Sequence, residues 1–312
     1  MSRNILVTGG AGYIGSVLVP DLLDAGHKVT VVDNLMYKQT SLSHIIRDKN
    51  FTFTLGDVRD ESLMKSQLKN CDIIIPLAAI VGAPACVRDP DLATSINRDS
   101  IFKLLKIVSK SQHVIMPTTN SAYGSGGVDN FCNEESELRP LSLYARDKVE
   151  VEKALFEIEN YTSFRLATVF GISPRMRLDL LVNNFVHRAL HDKFIVLFEG
   201  HFKRNYIHLI DVCQAFTLAI DEPNKFVNQV FNVGLSDANI SKIELTRIIQ
   251  RFIHDFVVLE AELHSDPDQR NYVVSNSKIE ATGFKPKVSL ENGILELIKG
   301  LEFFNHQPFT NL

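Results

Sequence analysis

Cysteines are few in this sequence, and their spacing excludes the sites that cysteines usually build. Cys71, Cys86, Cys132 and Cys213 are scattered over 312 residues without any Cys-x-x-Cys pair. Structural zinc sites and disulfide frameworks need cysteines that are clustered or regularly spaced. The sequence therefore argues against both, predicts no metal site and favours a cytoplasmic location. We expect Cys86 to be a buried thiol, with a place near a ligand as the alternative.

Long apolar runs and clusters of basic residues are also missing. No uninterrupted apolar stretch is long enough to span a bilayer, and lysine and arginine form no runs. The formal net charge is -4 at pH 7, so there is no general attraction for nucleic acid or for an anionic membrane. The first apolar run begins within five residues of Met1, which leaves no room for a signal peptide. We therefore expect neither nucleic acid nor a membrane as partner.

Short apolar runs alternate with helical patterns through the first half of the chain. The predicted strands are Asn4–Thr8, Lys28–Asp33, Phe51–Leu55, Asp72–Leu77, His113–Pro117 and Ser163–Val169. The predicted helices are Gly12–Ala25, Ser41–Arg47, Glu61–Lys69, Leu92–Lys110 and Leu143–Ile158. Continuous apolar strands are typical of a parallel sheet that is covered on both faces. Repeated βα units build such a sheet, so we predict an α/β fold with a doubly wound parallel sheet.

This rhythm breaks after Gly171, which predicts a smaller lobe interleaved with the sheet. The strand Gln229–Val233 is expected to return to the sheet, and no linker or internal repeat separates the two parts. We predict one domain at residues 1–171 plus about 205–236, and a second lobe at 172–204 and 237–312. The helices expected in this half are Leu178–His191, Leu209–Ile220, Lys242–Phe252 and Leu290–Phe303.

A glycine-rich segment directly follows the first predicted strand. Residues 8–15 read Thr-Gly-Gly-Ala-Gly-Tyr-Ile-Gly and lead into a predicted helix. Strand, tight turn and helix in this order place backbone N–H groups and a helix N-terminus against a diphosphate. Asp33 ends the second predicted strand, where a carboxylate accepts hydrogen bonds from a ribose diol and repels a 2′-phosphate. The sequence therefore predicts a dinucleotide site and favours NAD over NADP.

A second acid, Asp57, follows the third predicted strand within residues 56–60. Its carboxylate could contact the amino group of the adenine. It could equally cap the helix that begins near Asp60, because Asp is favoured at that position. The sequence leaves both interpretations open.

Three polar side chains form a candidate catalytic set. Tyr144 and Lys148 are four residues apart on one predicted helix and share a face. Thr119 follows an apolar strand, at the edge of the sheet where ligands bind in doubly wound folds. We expect Lys148 to favour the phenolate of Tyr144, which then takes a proton from an alcohol while hydride leaves to a nicotinamide. Thr119 would hold that alcohol by a hydrogen bond.

Together these motifs resemble those of extended short-chain dehydrogenases/reductases of the NAD-dependent epimerase/dehydratase family, which act on nucleotide-activated sugars. The resemblance covers nearly the whole chain. It implies a Rossmann sheet, NAD as cofactor, a nucleotide-diphosphate sugar as substrate, and Thr119, Tyr144 and Lys148 as the catalytic triad. The matching segments are 8–15, 56–60, 77–79, Asn97, 119–124, 144–148, 164–166, 204–208 and 231–234.

The same resemblance implies two sets of binding residues. The cofactor set is Gly9, Gly12, Tyr13, Ile14, Gly15, Asp33, Asn34, Asp57, Val58, Leu77, Ala78, Ala79, Asn97, Tyr144 and Lys148. The substrate set is Val81, Asn183, Arg204 and Arg270. Arginines suit a sugar diphosphate because their forked donors match phosphate oxygens.

One departure from the family pattern bears on the reaction. The 4,6-dehydratases carry an Asp-Glu pair just after the catalytic threonine, because eliminating water needs an additional acid and base. This chain has Asn120-Ser121 there, and an amide and a hydroxyl do not supply that proton pair. The sequence therefore disfavours the dehydratase reaction.

Two enzymatic reactions stay open. A 4-epimerase oxidises C4, rotates the keto sugar and returns hydride to the other face. A 4-dehydrogenase releases the keto sugar, so its NADH must be re-oxidised, for example by a small 2-oxo acid. A third hypothesis, an NAD-binding protein without activity, conflicts with the intact triad.

Two details favour the dehydrogenase. Pro76 stands where many relatives carry His, and the loop 81–86 is small and stiffened by proline. The chain as a whole also resembles the GDP-heptose C4 dehydrogenases of capsule biosynthesis, whose substrate is GDP-D-glycero-alpha-D-manno-heptose.

The resemblance also implies an assembly. Family members pair the helices that correspond to Leu92–Lys110 and Leu143–Ile158 with those of a partner. Both helices carry apolar residues beyond what one sheet face needs, so a homodimer or homotetramer is expected, with packing under the second lobe as the alternative. These residues are Ile101, Leu104, Leu105, Val108, Val149, Val151 and Leu155.

Overall fold

Strands and helices alternate through the first half of the protein. The computed structural model describes residues 2–125, 131–261 and 270–304. The strands are β1 Asn4–Thr8, β2 Lys28–Asp33, β3 Phe51–Leu55, β4 Ile73–Pro76, β5 His113–Thr119, β6 Phe131–Cys132, β7 Tyr161–Leu166, β8 Thr168–Phe170, β9 Phe194–Phe198, β10 Lys203–His208, β11 Gln229–Val233, β12 Asn239–Ser241, β13 Val257–Ala261 and β14 Val273–Val274. The helices are α1 Gly15–Asp24, α2 Glu61–Leu68, α3 Ala83–Arg88, α4 Pro90–Thr94, α5 Ser100–Ile107, α6 Leu143–Leu155, α7 Leu181–His191, α8 Leu209–Asp221, α9 Pro223–Phe226, α10 Lys242–Gln250, α11 Ser277–Glu280 and α12 Leu290–Leu301.

The central sheet has seven parallel strands in the order β11-β7-β5-β4-β1-β2-β3. Strands such as β5 are buried along their whole length, because helices cover both faces of the sheet. The predicted doubly wound fold is confirmed. The strand order reverses between β1 and β4, which opens a crevice at the carboxyl ends of these two strands.

The second half of the chain builds smaller sheets beside this one. β10 pairs with β8 in parallel and with β12 antiparallel, and β13 pairs with β9. β11 returns to the central sheet beside β7, as predicted. The strands β9, β10, β12 and β13 were not predicted, because each is short and half-exposed or lies directly before a helix. No helix within the described ranges is both long and apolar enough to cross a bilayer.

Three predicted elements differ in the structure. The helix predicted at Ser41–Arg47 is only a 3-10 turn, Ser43–Ile45. The strand predicted at Ser163–Val169 divides at Ala167, because its first part pairs in the central sheet and its second part pairs with β10. The long helix predicted at Leu92–Lys110 is interrupted by a π-helical turn at Ser95–Asp99.

The apolar residues that suggested an oligomer interface are mostly used inside the chain. Most of those in α5 and α6 fill the core on one face of the central sheet, Val149 is buried outside that cluster, and Val108 stays partly exposed. The argument for an interface from these side chains is therefore wrong, although the pairing of the helices themselves stays a prediction. The buried residues are Ile101, Leu104, Leu105, Val149, Val151 and Leu155.

Candidate active site

The glycine-rich turn between β1 and α1 is packed too tightly for side chains at two of its positions. Gly9 has φ +68°, and a Cβ atom there would lie 2.5 Å from the backbone nitrogen of Ala78. A Cβ atom on Gly15 would lie 2.4 Å from the carbonyl oxygen of Gly10. Only glycine therefore fits at these two positions of the tight turn. The turn leads into the start of α1, where N–H groups without an intrahelical partner favour an anion. The residues present fit the diphosphate of a dinucleotide.

A groove of about 580 Å³ runs from this turn across the carboxyl ends of β1, β2, β3 and β4. Nine of the predicted cofactor residues line it: Gly9, Gly12, Asp33, Asn34, Asp57, Val58, Leu77, Ala78 and Ala79. The predicted cofactor set did not include the other lining residues, which are Val32, Met36, Tyr37, Gln39, Gly56, Ile80 and Ile96. Most of these lie in loops after strands, where side-chain positions follow from the fold and not from a local pattern.

Asp33 connects the glycine-rich turn to the groove. Its carboxylate accepts hydrogen bonds from the backbone N–H of Ala11 at 3.0 Å and of Leu35 at 2.8 Å. Burial raises the pKa of Asp33, and these two hydrogen bonds counteract that effect. The Gln39 amide donates a third hydrogen bond to this carboxylate at 3.4 Å. Since a carboxylate has about four acceptor positions, capacity remains for a ribose hydroxyl.

Asp57 does not cap a helix. Asp60 caps α2, since its side chain accepts from the backbone N–H groups of Ser62 and Leu63. Asp57 instead pairs with Arg59 at 2.7 Å, and this interaction lowers the pKa of Asp57. Of the two interpretations of Asp57, helix capping is therefore wrong, and the carboxylate lines the groove.

Four predicted cofactor residues are not among those that line the groove. Gly15 opens α1 and Ile14 packs into the core. The Tyr13 hydroxyl donates to the carbonyl of Gly171 at 2.7 Å and accepts from the Asn183 amide at 3.2 Å, so it joins the turn to the segment after β8 and to α7. Asn97, fully buried in the π-helical turn, bonds both the N–H and the carbonyl of Ile80 at 2.8 and 2.9 Å. These contacts position the groove.

The three candidate catalytic residues meet at the carboxyl edge of the sheet. Thr119 ends β5, and its hydroxyl donates to Ser121 Oγ at 3.0 Å. Tyr144 and Lys148 lie one turn apart on α6, which packs against the 3-10 turn Asn120–Tyr123. The Lys148 ammonium is 5.9 Å from the centre of the Tyr144 ring. The structure therefore brings the predicted hydroxyl, phenol and ammonium to one place.

Burial dominates the electrostatics of this pair. It raises the pKa of Tyr144 to about 12, while the nearby charges of Arg177 and Arg270 lower it. Burial lowers the pKa of Lys148 to about 8, against the opposing effect of Asp147. The expectation that Lys148 favours the Tyr144 phenolate stays a prediction, while Arg177 and Arg270 have that effect in the protein alone.

A buried ion pair holds the catalytic helix against the sheet. Glu152 of α6 and Arg165 of β7 are joined at 2.6 Å, with side chains 3% and 5% exposed. Glu152 also accepts hydrogen bonds from Ser163 at 2.8 Å and from Thr118 at 3.1 Å. Glu152 follows Lys148 by one turn, so this network fixes the face of α6 that carries the catalytic pair.

Two of the predicted substrate residues carry buried or half-buried positive charge. Arg204 is 1% exposed, and its guanidinium lies 5.9 Å from the ring centre of Tyr272. Arg270 donates to the Ser121 hydroxyl, which is itself bonded to Thr119. Its charge lowers the pKa of both Tyr144 and Tyr206. Arg270 thus lies beside the catalytic turn.

The other two predicted substrate residues differ in role. Asn183 is fully buried and bonds the N–H of Gly171 and the carbonyl of Arg177 at 3.1 and 2.9 Å, so its amide supports the backbone. The carbonyl of Val81 accepts a hydrogen bond of 3.4 Å from Arg177. Sequence reasoning missed Arg177, whose buried ion pair with Asp179 no motif indicates.

The segment after Val81 is a short helix and not the loop that was expected. Gly82, at φ +103°, precedes α3, and Pro84 occupies its first turn, where the missing N–H costs nothing. Cys86 is fully buried, its thiol donates to the carbonyl of Ile80 at 3.3 Å, and burial raises its pKa to about 11. The expected buried thiol is confirmed.

Known proteins are similar in sequence to this chain over nearly its full length and theirs. The family model described as "NAD dependent epimerase/dehydratase family" matches residues 5–234. Low-salt glycan biosynthesis protein Agl12 of Haloferax volcanii is 25% identical over 302 residues, which is 93% of this chain and 96% of that protein. UDP-N-acetyl-alpha-D-glucosaminuronate decarboxylase of Bacillus cytotoxicus is 27% identical over 320 residues, 96% of this chain and 98% of that protein.

A solved structure with a similar fold carries a sugar nucleotide. The UDP-glucose 4-epimerase of Thermotoga maritima with UDP-glucose superposes with a TM-score of 0.83 at 27% identity, over 97% of this chain and 100% of that one. The family match covers the sheet, the glycine-rich turn and the triad described above. The chain therefore belongs to the NAD-dependent epimerase/dehydratase family.

Proposed function

We propose that this enzyme oxidises the C4 hydroxyl of a nucleotide-activated sugar to a ketone, with Tyr144 as general base and NAD as hydride acceptor. The observation that supports the proposal is the packing of Tyr144 with Ile80 and Ile96, which line the groove that fits a dinucleotide. Lys148 follows Tyr144 by one turn of α6, and α6 packs against the turn that follows Thr119. Membership of the family makes the chain an NAD-dependent enzyme. The particular reaction and substrate are the proposed part.

Each residue of the triad has a separate task. The Thr119 hydroxyl donates to Ser121 in the protein alone. With substrate bound it would turn and donate to the oxygen of the alcohol, which leaves the alcohol proton for Tyr144. Tyr144 removes the alcohol proton, and the charges of Arg177 and Arg270 help its phenol to ionise against the effect of burial. NAD, when bound, supplies the electrophilic ring that accepts the hydride from C4. Lys148 would bind the nicotinamide ribose.

The turn after Thr119 supports oxidation without elimination of water. Asn120 is an amide, and the Ser121 hydroxyl is bonded to both Thr119 and Arg270. Neither group supplies a carboxylic acid and carboxylate pair for dehydration. Simple oxidation at C4 is the reaction that this set of groups supports best.

For the substrate we propose GDP-D-glycero-alpha-D-manno-heptose, in the biosynthesis of a surface polysaccharide. Arg204 and Arg270 would bind the diphosphate, because forked guanidinium donors match phosphate oxygens. A C4 dehydrogenase must dispose of its NADH, and a small 2-oxo acid is the acceptor that we propose. The glycan-biosynthesis name of the Haloferax relative is in keeping with this class of pathway. We further propose a cytoplasmic homodimer or homotetramer.

The alternative function is a nucleotide-sugar 4-epimerase. It is favoured by the similarity to the Thermotoga UDP-glucose 4-epimerase, whose length the chain covers completely. An epimerase uses the same triad for oxidation and then returns the hydride to the opposite face of the keto sugar. The two reactions therefore differ in net redox change and not in the residues required.

The test is a redox balance. The purified protein is incubated with GDP-, UDP- and dTDP-linked hexoses and heptoses, with and without a 2-oxo acid. Nicotinamide absorbance and NMR of the sugar are followed together, with Tyr144→Phe as control. A 4-keto sugar that appears with NADH, or with the reduced oxo acid, supports the dehydrogenase. Inversion of C4 without net redox change establishes the epimerase instead.

A further inference from the structure

One buried side chain beside the triad has no hydrogen-bond partner within the described part of the chain. Asn120 is 1% exposed, and both its Nδ2 and its Oδ1 are unpaired there. Its two neighbours are well bonded, since Thr119 and Ser121 bond each other and Ser121 also bonds Arg270. The unpaired amide therefore stands between residues that are held in place.

An amide in this situation points to a ligand. Buried polar atoms in native proteins almost always have a partner, and an unpaired amide destabilises the folded state. Asn120 follows the last residue of β5, on the turn against which α6 packs with Tyr144 and Lys148. It thus lies at the carboxyl edge of the sheet, where ligands of this fold bind.

We propose that the Asn120 amide binds a hydroxyl of the sugar ring, next to the hydroxyl that Thr119 orients. This inference rests on the proposed function. A sugar hydroxyl both donates and accepts, and an amide offers one acceptor and two donors, so the two groups are complementary. A free nucleoside diphosphate lacks the attached sugar ring, so it has no hydroxyl next to the one that Thr119 orients. Asn120 is therefore a residue that distinguishes the sugar from the nucleotide.

A second buried asparagine provides a matched control. Asn232 is also fully buried, but its Oδ1 accepts from the Tyr123 hydroxyl at 2.7 Å and its Nδ2 donates to the carbonyl of Ser275 at 3.0 Å. Leucine has nearly the shape of asparagine but no polar atoms. Asn232→Leu breaks existing hydrogen bonds, whereas Asn120→Leu removes an amide that is unpaired until the sugar binds.

The first measurement is binding by calorimetry. The full-length protein is saturated with NADH, which prevents turnover, and titrated with GDP-mannose, GDP, UDP-glucose and UDP. Asn120→Leu is expected to weaken binding of the better nucleotide sugar about ten-fold, the effect of losing two neutral hydrogen bonds. Binding of the free nucleoside diphosphate is expected to stay unchanged. Equal affinities of wild type and variant for the nucleotide sugar would overturn the proposal.

The second measurement is thermal unfolding without ligand. Asn120→Leu is expected to unfold at the same temperature as wild type or higher, and Asn232→Leu at a lower temperature. If both variants lose stability equally, Asn120 has a structural partner and the proposal is wrong. The proposed function can fail separately from this inference. In that case the wild-type protein binds the nucleotide sugar more tightly than Asn120→Leu does, but it forms no keto sugar.

Discussion

Breaking the buried ion pair under the catalytic helix should destabilise the protein strongly. Arg165→Met leaves the Glu152 carboxylate buried and without its charged partner, because that side chain is only 3% exposed. Removing one partner of a buried pair costs about 3–5 kcal/mol. For a chain of 312 residues, the usual entropy of unfolding converts about 4 kcal/mol into a fall in Tm of about 6 °C.

The assay is thermal unfolding at neutral pH, with two comparisons. Lys110→Met removes an ion pair on the surface, where Lys110 and Glu159 are joined at 2.8 Å and their side chains are 84% and 65% exposed. That change should leave the Tm almost unchanged, because water screens a pair on the surface. The double variant Glu152→Gln/Arg165→Met removes the uncompensated charge and should be more stable than Arg165→Met alone.

Two results would refute this reasoning. A Tm loss for Arg165→Met no larger than that for Lys110→Met would mean that the pair contributes little. A double variant as unstable as Arg165→Met would mean that lost packing, and not the buried charge of Glu152, causes the loss.

Three further predictions concern the glycine-rich turn, the core and the base. Gly9→Ala should weaken NAD binding, measured by fluorescence titration, by about ten-fold or more, because its Cβ would lie 2.5 Å from the Ala78 nitrogen. The control is Gly26→Ala, which is also at positive φ but has open space around it. This control should leave NAD binding unchanged. Burial lowers the pKa of His113 from 6.5 to about 4. Between these two pH values the unfolded state binds more protons than the folded state. The free energy of unfolding therefore falls as the pH falls, by up to about 3 kcal/mol at pH 4. His113→Gln should flatten the dependence of Tm on pH in this window, and an unchanged slope would contradict the assignment. Tyr144→Phe should reduce turnover by about 10²–10⁴-fold, and full activity of this variant would exclude Tyr144 as the base.

The fold of the first half was predictable because its signals are local. Buried parallel strands read as continuous apolar runs, and the glycines of residues 8–15 are required by a close backbone approach. The π-helical turn was not predictable, since it depends on a contact of Asn97 with Ile80 across the chain. The break at Ala167 likewise depends on where β10 lies.

The candidate site also has a part that was predictable from the sequence and a part that was not. The triad and most of the groove follow from motifs at strand ends, which the parallel sheet brings to one edge. The position of Arg177 and the unpaired amide of Asn120 could not be read from the sequence, because burial and pairing depend on the whole fold. The pKa of Tyr144 is the clearest case, since helix spacing indicated Lys148 as its neighbour but burial determines the sign of the shift.

A single-turnover experiment tests the central claim most directly. The NAD-loaded enzyme is mixed with less than one equivalent of nucleotide sugar, without any electron acceptor, and NADH and the sugar product are quantified together. The account predicts one NADH for each 4-keto sugar, with Tyr144→Phe forming neither. Complete conversion to the C4-inverted sugar, with no NADH left at the end, would contradict it.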